Sequence, residues 1–395
     1  MNWRQVFVWA PVVLLAALGA GVGALKGGDY YIFDDAIRIA VADPGSVYAP
    51  LDQPFLFLYG PIFLVLAYPL SFFSVATAKG IWIAFQCVCY FGLVALLRRF
   101  FPSVARNPLL ALWGFVFLIN PVHSNFQVLN IQVPILAVLL LAQWLCESDT
   151  PRKHQIAGAL CTVVTFIKAF PAFFVLLLFL TGKKGFRQGL VLGAVACFVL
   201  PALVFGFENG VALYKGFFEN LTRIGKVDYV TAPTHVLNLH SLIAHIGHTF
   251  AWSAKTVSTV TSICWVSTAC AFFAFTTWMS RTARWSDVTY QRGWYALGLA
   301  LNVFLAPYTY IHYYVFYVPV FFWAMETLSA SANARRLQIT ALAVVTALVA
   351  LTTDFVVGRD LNSQLESYSV PLWGVILLMT LAAHRLFKSL VVRRL

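Results

Sequence analysis

Charge is scarce in this chain. Only 11% of its 395 residues are Asp, Glu, Lys or Arg, and 61% are hydrophobic; a soluble domain carries about 25% charged residues. A water-soluble fold of this length cannot hide so much apolar side chain, so lipid must be its solvent. Acids are the scarcest charges, 15 against 27 basic residues, for a net charge of +12. That surplus would suit nucleic acid if it formed one patch. Instead the positives sit in short clusters between apolar runs, as the positive-inside rule describes. No phosphate-binding Gly loop, GxSxG elbow or HExxH is present, which argues against an ATP-driven machine. Nor is there an internal repeat or an inverted pair of Gly/Pro-broken helices. The seven cysteines lie inside or at the edge of apolar stretches and read as small core residues rather than disulfide partners.

What is present is a series of apolar runs. Arg4 precedes Val6–Leu25, about 20 residues, longer than a signal-peptide core and long enough to span. The expected spans are 6–26, 79–97, 108–122, 127–146, 155–170, 171–182, 188–206, 252–279, 290–306, 312–329, 336–353 and 370–389. Pro54, Pro61 and Pro69 interrupt 56–75, which reads as a helix at or dipping into the interface. With the N-terminus inside, 18 of the 27 basic residues fall on the inner side and eight on the outer, and Lys168 remains within a span. Counting 56–75 as a crossing would invert that asymmetry. The expectation is therefore an all-α polytopic membrane protein, a single transmembrane domain over 1–395, with about 12 transmembrane helices and both termini in the cytoplasm. The long first extracytoplasmic loop, 27–78, carries interfacial helices, and a second loop covers 207–251. Most acids fall in these loops, which places the chemistry on the outer face of a cell-membrane protein.

Five groups of residues could carry chemistry. In GGDYYIFDDAIRIA, Asp29 sits where the chain leaves lipid, partly desolvated yet accessible from water, which favours a general base. It could equally be an exposed loop residue or the N-cap of a helix over 30–40. Asp34 and Asp35 lie on that helix, on a solvated face or turned to the same cleft. Within 47–70, Tyr48, Phe57, Tyr59 and Tyr68 line up with prolines as interface anchors or as a substrate wall. Lys168 in TFIKAFPAF either snorkels from a helix end or holds a lipid-linked phosphate. APTHVLNLHSLIAHIGH supplies His235, Asn238, His240, Ser241, His245 and His248, with a spacing poor for zinc. FLAPYTYIHYY supplies Pro307, Tyr310, His312 and Tyr313, where His312 is either structural or a donor to phosphate or a sugar hydroxyl.

Taken in order, these elements resemble glycosyltransferase family 87, polyprenyl-phosphate-dependent mannosyltransferases of the GT-C fold. Asp29-Tyr30-Tyr31, Ala36, Gly45, Tyr48 and Phe57-Leu58-Tyr59-Gly60-Pro61 follow the family's opening section. Asn130-Ile131-Gln132, Lys168-Ala169-Phe170-Pro171, Asn238-Leu239-His240-Ser241-Leu242 and Ala306-Pro307-Tyr308-Thr309-Tyr310-Ile311-His312-Tyr313 are similar to its later elements. The chain departs from the family where Tyr-Gly-Pro replaces Tyr-Pro-Pro, Tyr310 stands for Trp and Tyr313 replaces a second His.

The resemblance implies a GT-C-like fold and an inverting transfer of a sugar, mannose in keeping with the family, from a polyprenyl-phosphate carrier to a lipid or glycan acceptor. By the same resemblance Asp29 is the base, Lys168 and His312 bind the donor phosphate, and Asp34, Asp35, Tyr59, Asn238, His240 and Tyr310 line the sugar or acceptor cleft. The sequence offers no cluster of metal ligands, so no metal is expected, and no cofactor either. Its partners are the donor, the acceptor and membrane lipid, with no nucleic acid. Without the resemblance, the base stays open among Asp29, Asp34 and Asp35. The alternative functions are a transporter or lipid flippase, or a non-enzymatic membrane scaffold.

Overall fold

The computed structural model describes residues 3–48, 57–224, 237–306 and 309–391. Among them every regular element is helical. The first half of the chain runs α1 (Trp3–Leu25), α2 (Gly28–Ala42), α3 (Pro61–Ala67), α4 (Val75–Phe100), α5 (Pro102–Arg106), α6 (Pro108–Val128), α7 (Gln132–Cys146), α8 (Pro151–Ile167), α9 (Ala172–Thr181) and α10 (Lys184–Phe205). The second half runs α11 (Phe207–Ile224), α12 (Leu239–Thr249), α13 (Ala254–Met279), α14 (Val288–Leu305), α15 (Val318–Glu326), α16 (Ala332–Ala350), α17 (Asp354–Val357), α18 (Arg359–Ser367) and α19 (Val370–Val391).

Most of each expected apolar run falls on helix, but 127–146 is broken between α6 and α7, and 312–329 is divided between a 3₁₀ stretch over Ile311–Tyr317 and the nine-residue α15. Among the described residues, five helices are long and apolar enough to cross a bilayer: α4, α6, α10, α13 and the part of α19 from Val370 to Phe387. A sixth is obtained if α1 from Trp9 is joined to α2 across a 59° bend. The bend is made at Gly27, whose φ of +58° is left-handed and costs glycine little. Asp29, Asp34, Asp35 and Arg38 give α2 four charges in 15 residues. These charges make α2 far more polar than the apolar helix before it. Within 56–75, where the sequence predicts a helix, the structure has α3 followed by a 3₁₀ turn over Tyr68–Phe72.

The contacts divide the chain into two compact units. One comprises residues 16–96 and 125–227, the other 1–15, 97–124 and 228–395. In the first, α8 and α10 cross at close range. A Cβ on Gly158 would lie 2.1 Å from the Phe186 carbonyl oxygen, and one on Gly189 would lie 2.0 Å from that of Gln155. Small residues let membrane helices bring their backbones together, and Gly185, Gly189 and Gly193 repeat at four-residue spacing along α10. Thr162 Oγ1 ties the seam by donating to Gly158 O at 3.0 Å or Leu190 O at 3.1 Å.

The second unit packs on aromatics. Phe117 of α6 stacks on Phe321 of α15, ring centroids 4.1 Å apart and planes 2° from parallel. Side-chain hydrogen bonds tie its helices as well. Trp113 Nε1 donates to Thr346 Oγ1 at 2.8 Å, and the Glu326 carboxylate caps the start of α5 through Ser103 N and Val104 N.

Substituting Gly189→Ala should force α8 and α10 apart and lower stability by about 1–3 kcal/mol, the usual cost of overpacking. Gly21→Ala, at a helical position with nothing within 4 Å of the added Cβ, should leave stability level or raise it. Thermal unfolding of the detergent-solubilised protein checks the contrast.

Candidate functional site

Asp29 lies in the first turn of α2, half-buried, just past the Gly27 bend. Gly27 N–H donates to Gln127 O at 3.0 Å, so the start of α2 is stitched to the last turn of α6. After α6 the chain turns at Leu129, a leucine with φ of +56°. A bulky residue in left-handed backbone costs about 1–3 kcal/mol and survives only where its surroundings over-determine it. Here Leu129 is fully buried and its carbonyl accepts from Trp82 Nε1 at 3.0 Å. The turn brings the Asn130 side chain onto Asp29, where Nδ2 donates to Asp29 Oδ2.

Asn130 is itself held from several directions. Its Oδ1 accepts from Ile131 N at 2.8 Å and from Gln132 Nε2 at 3.0 Å. Its main-chain oxygen accepts from Gln86 Nε2 at 2.6 Å, and Gln86 Oε1 accepts from Asn125 Nδ2 at 3.1 Å. Gln86, Asn125 and Gln132 are fully buried. None of these amides was among the site residues expected from the sequence. The readable signal was the amides themselves: Asn and Gln inside apolar runs must pair with one another or with backbone.

Lys168 caps the C-terminal end of α8 in extended backbone. Its Nζ donates to Tyr59 Oη at 3.3 Å and stands 4.8 Å from the centre of that ring. The pairing depends on Gly60, whose N–H donates to Ile167 O at 2.9 Å. A Cβ there would come 1.9 Å from the Phe166 carbonyl oxygen. Tyr59 itself is buried, packed edge-on against Phe33 of α2 with ring centroids 4.9 Å apart, and its carbonyl accepts from Tyr48 Oη at 2.6 Å.

Burial pushes the Asp29 carboxyl above its ordinary range, while the Asn130 hydrogen bond and the positive charge of Lys168 pull it back. The same unit therefore holds a half-buried carboxylate, an amide donor and a cation that acts on it. Asp34, on the next turn of α2, is buried and joined to Arg38 at 2.7 Å; it also accepts from Tyr30 Oη at 3.4 Å. Asp35 is exposed on that helix. Burial followed by the charge of Asp34 raises its carboxyl, with Arg38 opposing.

The remaining expected residues lie in the other unit. Asn238 is the N-cap of α12 and forms a capping box with Ser241: Ser241 N donates to Asn238 Oδ1 at 2.9 Å and Asn238 N donates to Ser241 Oγ at 3.0 Å. Its Nδ2 donates to Ala306 O at 2.6 Å, and Leu237 N donates to Thr309 O at 2.7 Å. The start of α12 thus fastens the segment that carries Tyr310 and His312. Tyr310 is exposed, and its ring is near-parallel to that of buried His312, centroids 5.8 Å apart. His240 follows in the first turn of α12, where burial lowers its pKa. His235 and Pro307 lie outside the described residues.

Gly60→Ala should part the Tyr59 loop from the end of α8 and expose Lys168. Mass-spectrometric mapping after amine-reactive labelling should show higher modification of Lys168 in the variant, with the other lysines unchanged.

Comparison with known proteins gives one family. The family model described as glycosyltransferase family 87 matches residues 57–301, well over half of the chain. The match takes in Tyr59, Asn130, Lys168, Asn238 and His240; Asp29, Asp34, Asp35, Tyr310 and His312 fall outside it. No curated protein and no solved structure matches the chain. The chain belongs to glycosyltransferase family 87: it is a glycosyltransferase built of membrane helices, acting on a sugar donor and an acceptor.

Proposed function

We propose that the protein moves a sugar, mannose in keeping with the family resemblance, from a polyprenyl-phosphate carrier to a lipid or glycan acceptor, on the extracytoplasmic side of the cell membrane. The observation that carries this reading is the half-buried Asp29 carboxylate under the influence of Lys168, directly after the first apolar helix. In the reaction, the acceptor hydroxyl attacks the anomeric carbon from the face opposite the phosphate. Its proton passes to Asp29 as the new C–O bond forms. The bond from the anomeric carbon to the phosphate oxygen breaks, and the electron pair leaves on the polyprenyl phosphate. A phosphate needs no acid to depart, so one carboxylate suffices, and inversion follows from the single displacement.

Lys168 is assigned to the departing phosphate, whose charge it stabilises as it grows. Tyr59 holds the lysine and offers an aromatic wall to the sugar. Asp35 is assigned to the acceptor side of α2, and Asp34 to fixing that helix through Arg38. In the other unit, Asn238 is assigned to fastening the Tyr310–His312 segment. His240 and Tyr310 stand as candidate sugar or acceptor contacts, and His312 as a candidate phosphate donor, each tested separately by substitution. In the twelve-span layout expected from the sequence, the charge asymmetry favours the outer location.

The test is glycolipid formation in membranes given a polyprenyl-phosphate mannose. Asp29→Asn, expressed at the normal level, should lose about 10²–10⁴-fold in rate, the usual contribution of a general base. Lys168→Met should lower the rate with a smaller effect on acceptor KM. Activity of the unmodified enzyme should fall on acidification through a carboxyl titrating above the ordinary Asp range, because only the deprotonated base accepts the proton. Full activity of Asp29→Asn removes the assignment, and movement of labelled lipid across vesicles with no covalent product favours a flippase instead.

A further inference from the structure

We propose that Asn130 is a positioning residue for this transfer: it occupies Oδ2 of Asp29 and so leaves Oδ1 as the oxygen that meets the acceptor hydroxyl. The proposal rests on the reading of Asp29 as the base.

The two ends of an Asn side chain have the same shape, so orientation must come from what surrounds them. Ile131 N–H can only donate, and it lies 2.8 Å from Asn130 Oδ1. The other end, Nδ2, therefore faces the carboxylate. Reversing the amide would set its oxygen against Asp29 and its NH₂ against two donors, Ile131 N–H and Gln132 Nε2.

A second arm is fixed in the same way. Val133 N–H donates to Asn125 Oδ1 at 3.4 Å, which turns Asn125 Nδ2 onto Gln86 Oε1 and Gln86 Nε2 onto the main-chain oxygen of Asn130. Both arms start at backbone N–H groups at the start of α7, its N-cap Ile131 and Val133 of its first turn, and converge on residue 130, one on its side chain and one on its main chain. Hydrogen bonds inside a buried polar network hold its geometry, although Gln132 Oε1 has no partner among the described residues. This one ends on the single carboxylate to which the reaction assigns a proton.

Among the described residues, charged side chains on α2, on α4 and at the end of α8 bear on the surroundings of Asp29. Lys168 acts on it from the end of α8. On α2, Asp34 and Arg38 are paired with each other. Lys79 of α4 is turned to Ala24 O at 2.8 Å and Tyr31 Oη at 3.2 Å. Asn130 and Lys168 thus both favour the ionised carboxylate against its burial. Removing Asn130 leaves Lys168 to do this alone, so the base should titrate at higher pH. It also frees the carboxylate to rotate.

The experiment measures the full pH profile of transfer, with the full-length enzyme in lipid nanodiscs, a polyprenyl-phosphate mannose and extracted membrane lipids as acceptor. In Asn130→Ala the acid limb should move to higher pH, and kcat should fall roughly 10- to 100-fold at neutral pH, in line with a misplaced catalytic group, with acceptor KM near its original value. Asn130→Asp keeps the shape but sets two carboxyls together, so its acid limb should move further in the same direction. A uniform loss at every pH, or an unshifted limb in folded variants, overturns the proposal. Should both variants fail to fold, Gln132→Met decides, because it removes one donor to Asn130 Oδ1 and leaves Asp29 and Asn130 in place. A shift in the same direction supports the role, and an unshifted limb overturns it. Asp29→Asn run alongside separates the two ideas: if it stays active the base assignment fails, and if it is inactive while the other variants are unshifted only the role of Asn130 fails.

Discussion

A carboxylate at the rim of the hydrocarbon is costly unless its charge is answered. In this protein Asp29 is answered by the amide of Asn130 and by the charge of Lys168. Much of the local structure serves that pairing. The left-handed Gly27 ends the first apolar helix and starts α2, so that the acid emerges in the first turn. The left-handed Leu129, locked by Trp82, turns the chain so that Asn130 arrives beside it. The Leu129 turn would not persist without dense packing, and Leu129 has no exposed surface at all.

The cation is placed by backbone rather than by side-chain packing alone. The end of α8 accepts an N–H from Gly60, and the lack of a side chain at that glycine lets the Tyr59 loop lie against the Phe166 carbonyl. Tyr59 then meets Lys168 with both its hydroxyl and its ring. The glycine seam between α8 and α10 fixes the helix whose end carries the lysine. In the other unit, the α12 capping box performs a similar service for the segment bearing Tyr310 and His312. In both units a short conformational device at a helix end aims the polar residues.

Much of the helical arrangement was legible in the sequence because length and hydropathy act locally. Most of each expected run falls on helix, and the helix expected over 30–40 is Gly28–Ala42. Lys168 was legible as a cation at a helix end, but its extended backbone and its tyrosine partner depend on Gly60, more than 100 residues earlier. The Asp34–Arg38 pair could have been read from its i,i+4 spacing, which would have separated Asp34 from Asp29 at once. The Gly185, Gly189 and Gly193 repeat was equally open to view. The amide network was not, because Gln86, Asn125, Asn130 and Gln132 meet only after α4, α6 and α7 are packed, and no local rule pairs them.

The account turns on where the donor phosphate lies relative to the two carboxylate oxygens of Asp29. A structure of the enzyme with a polyprenyl phosphate bound measures this directly. The account predicts the phosphate on Lys168, Asp29 Oδ2 still on Asn130, and Oδ1 facing the position from which an acceptor would approach the anomeric carbon. A phosphate bound away from Lys168, or lying against Asp35 with Asp29 turned from it, would contradict the account.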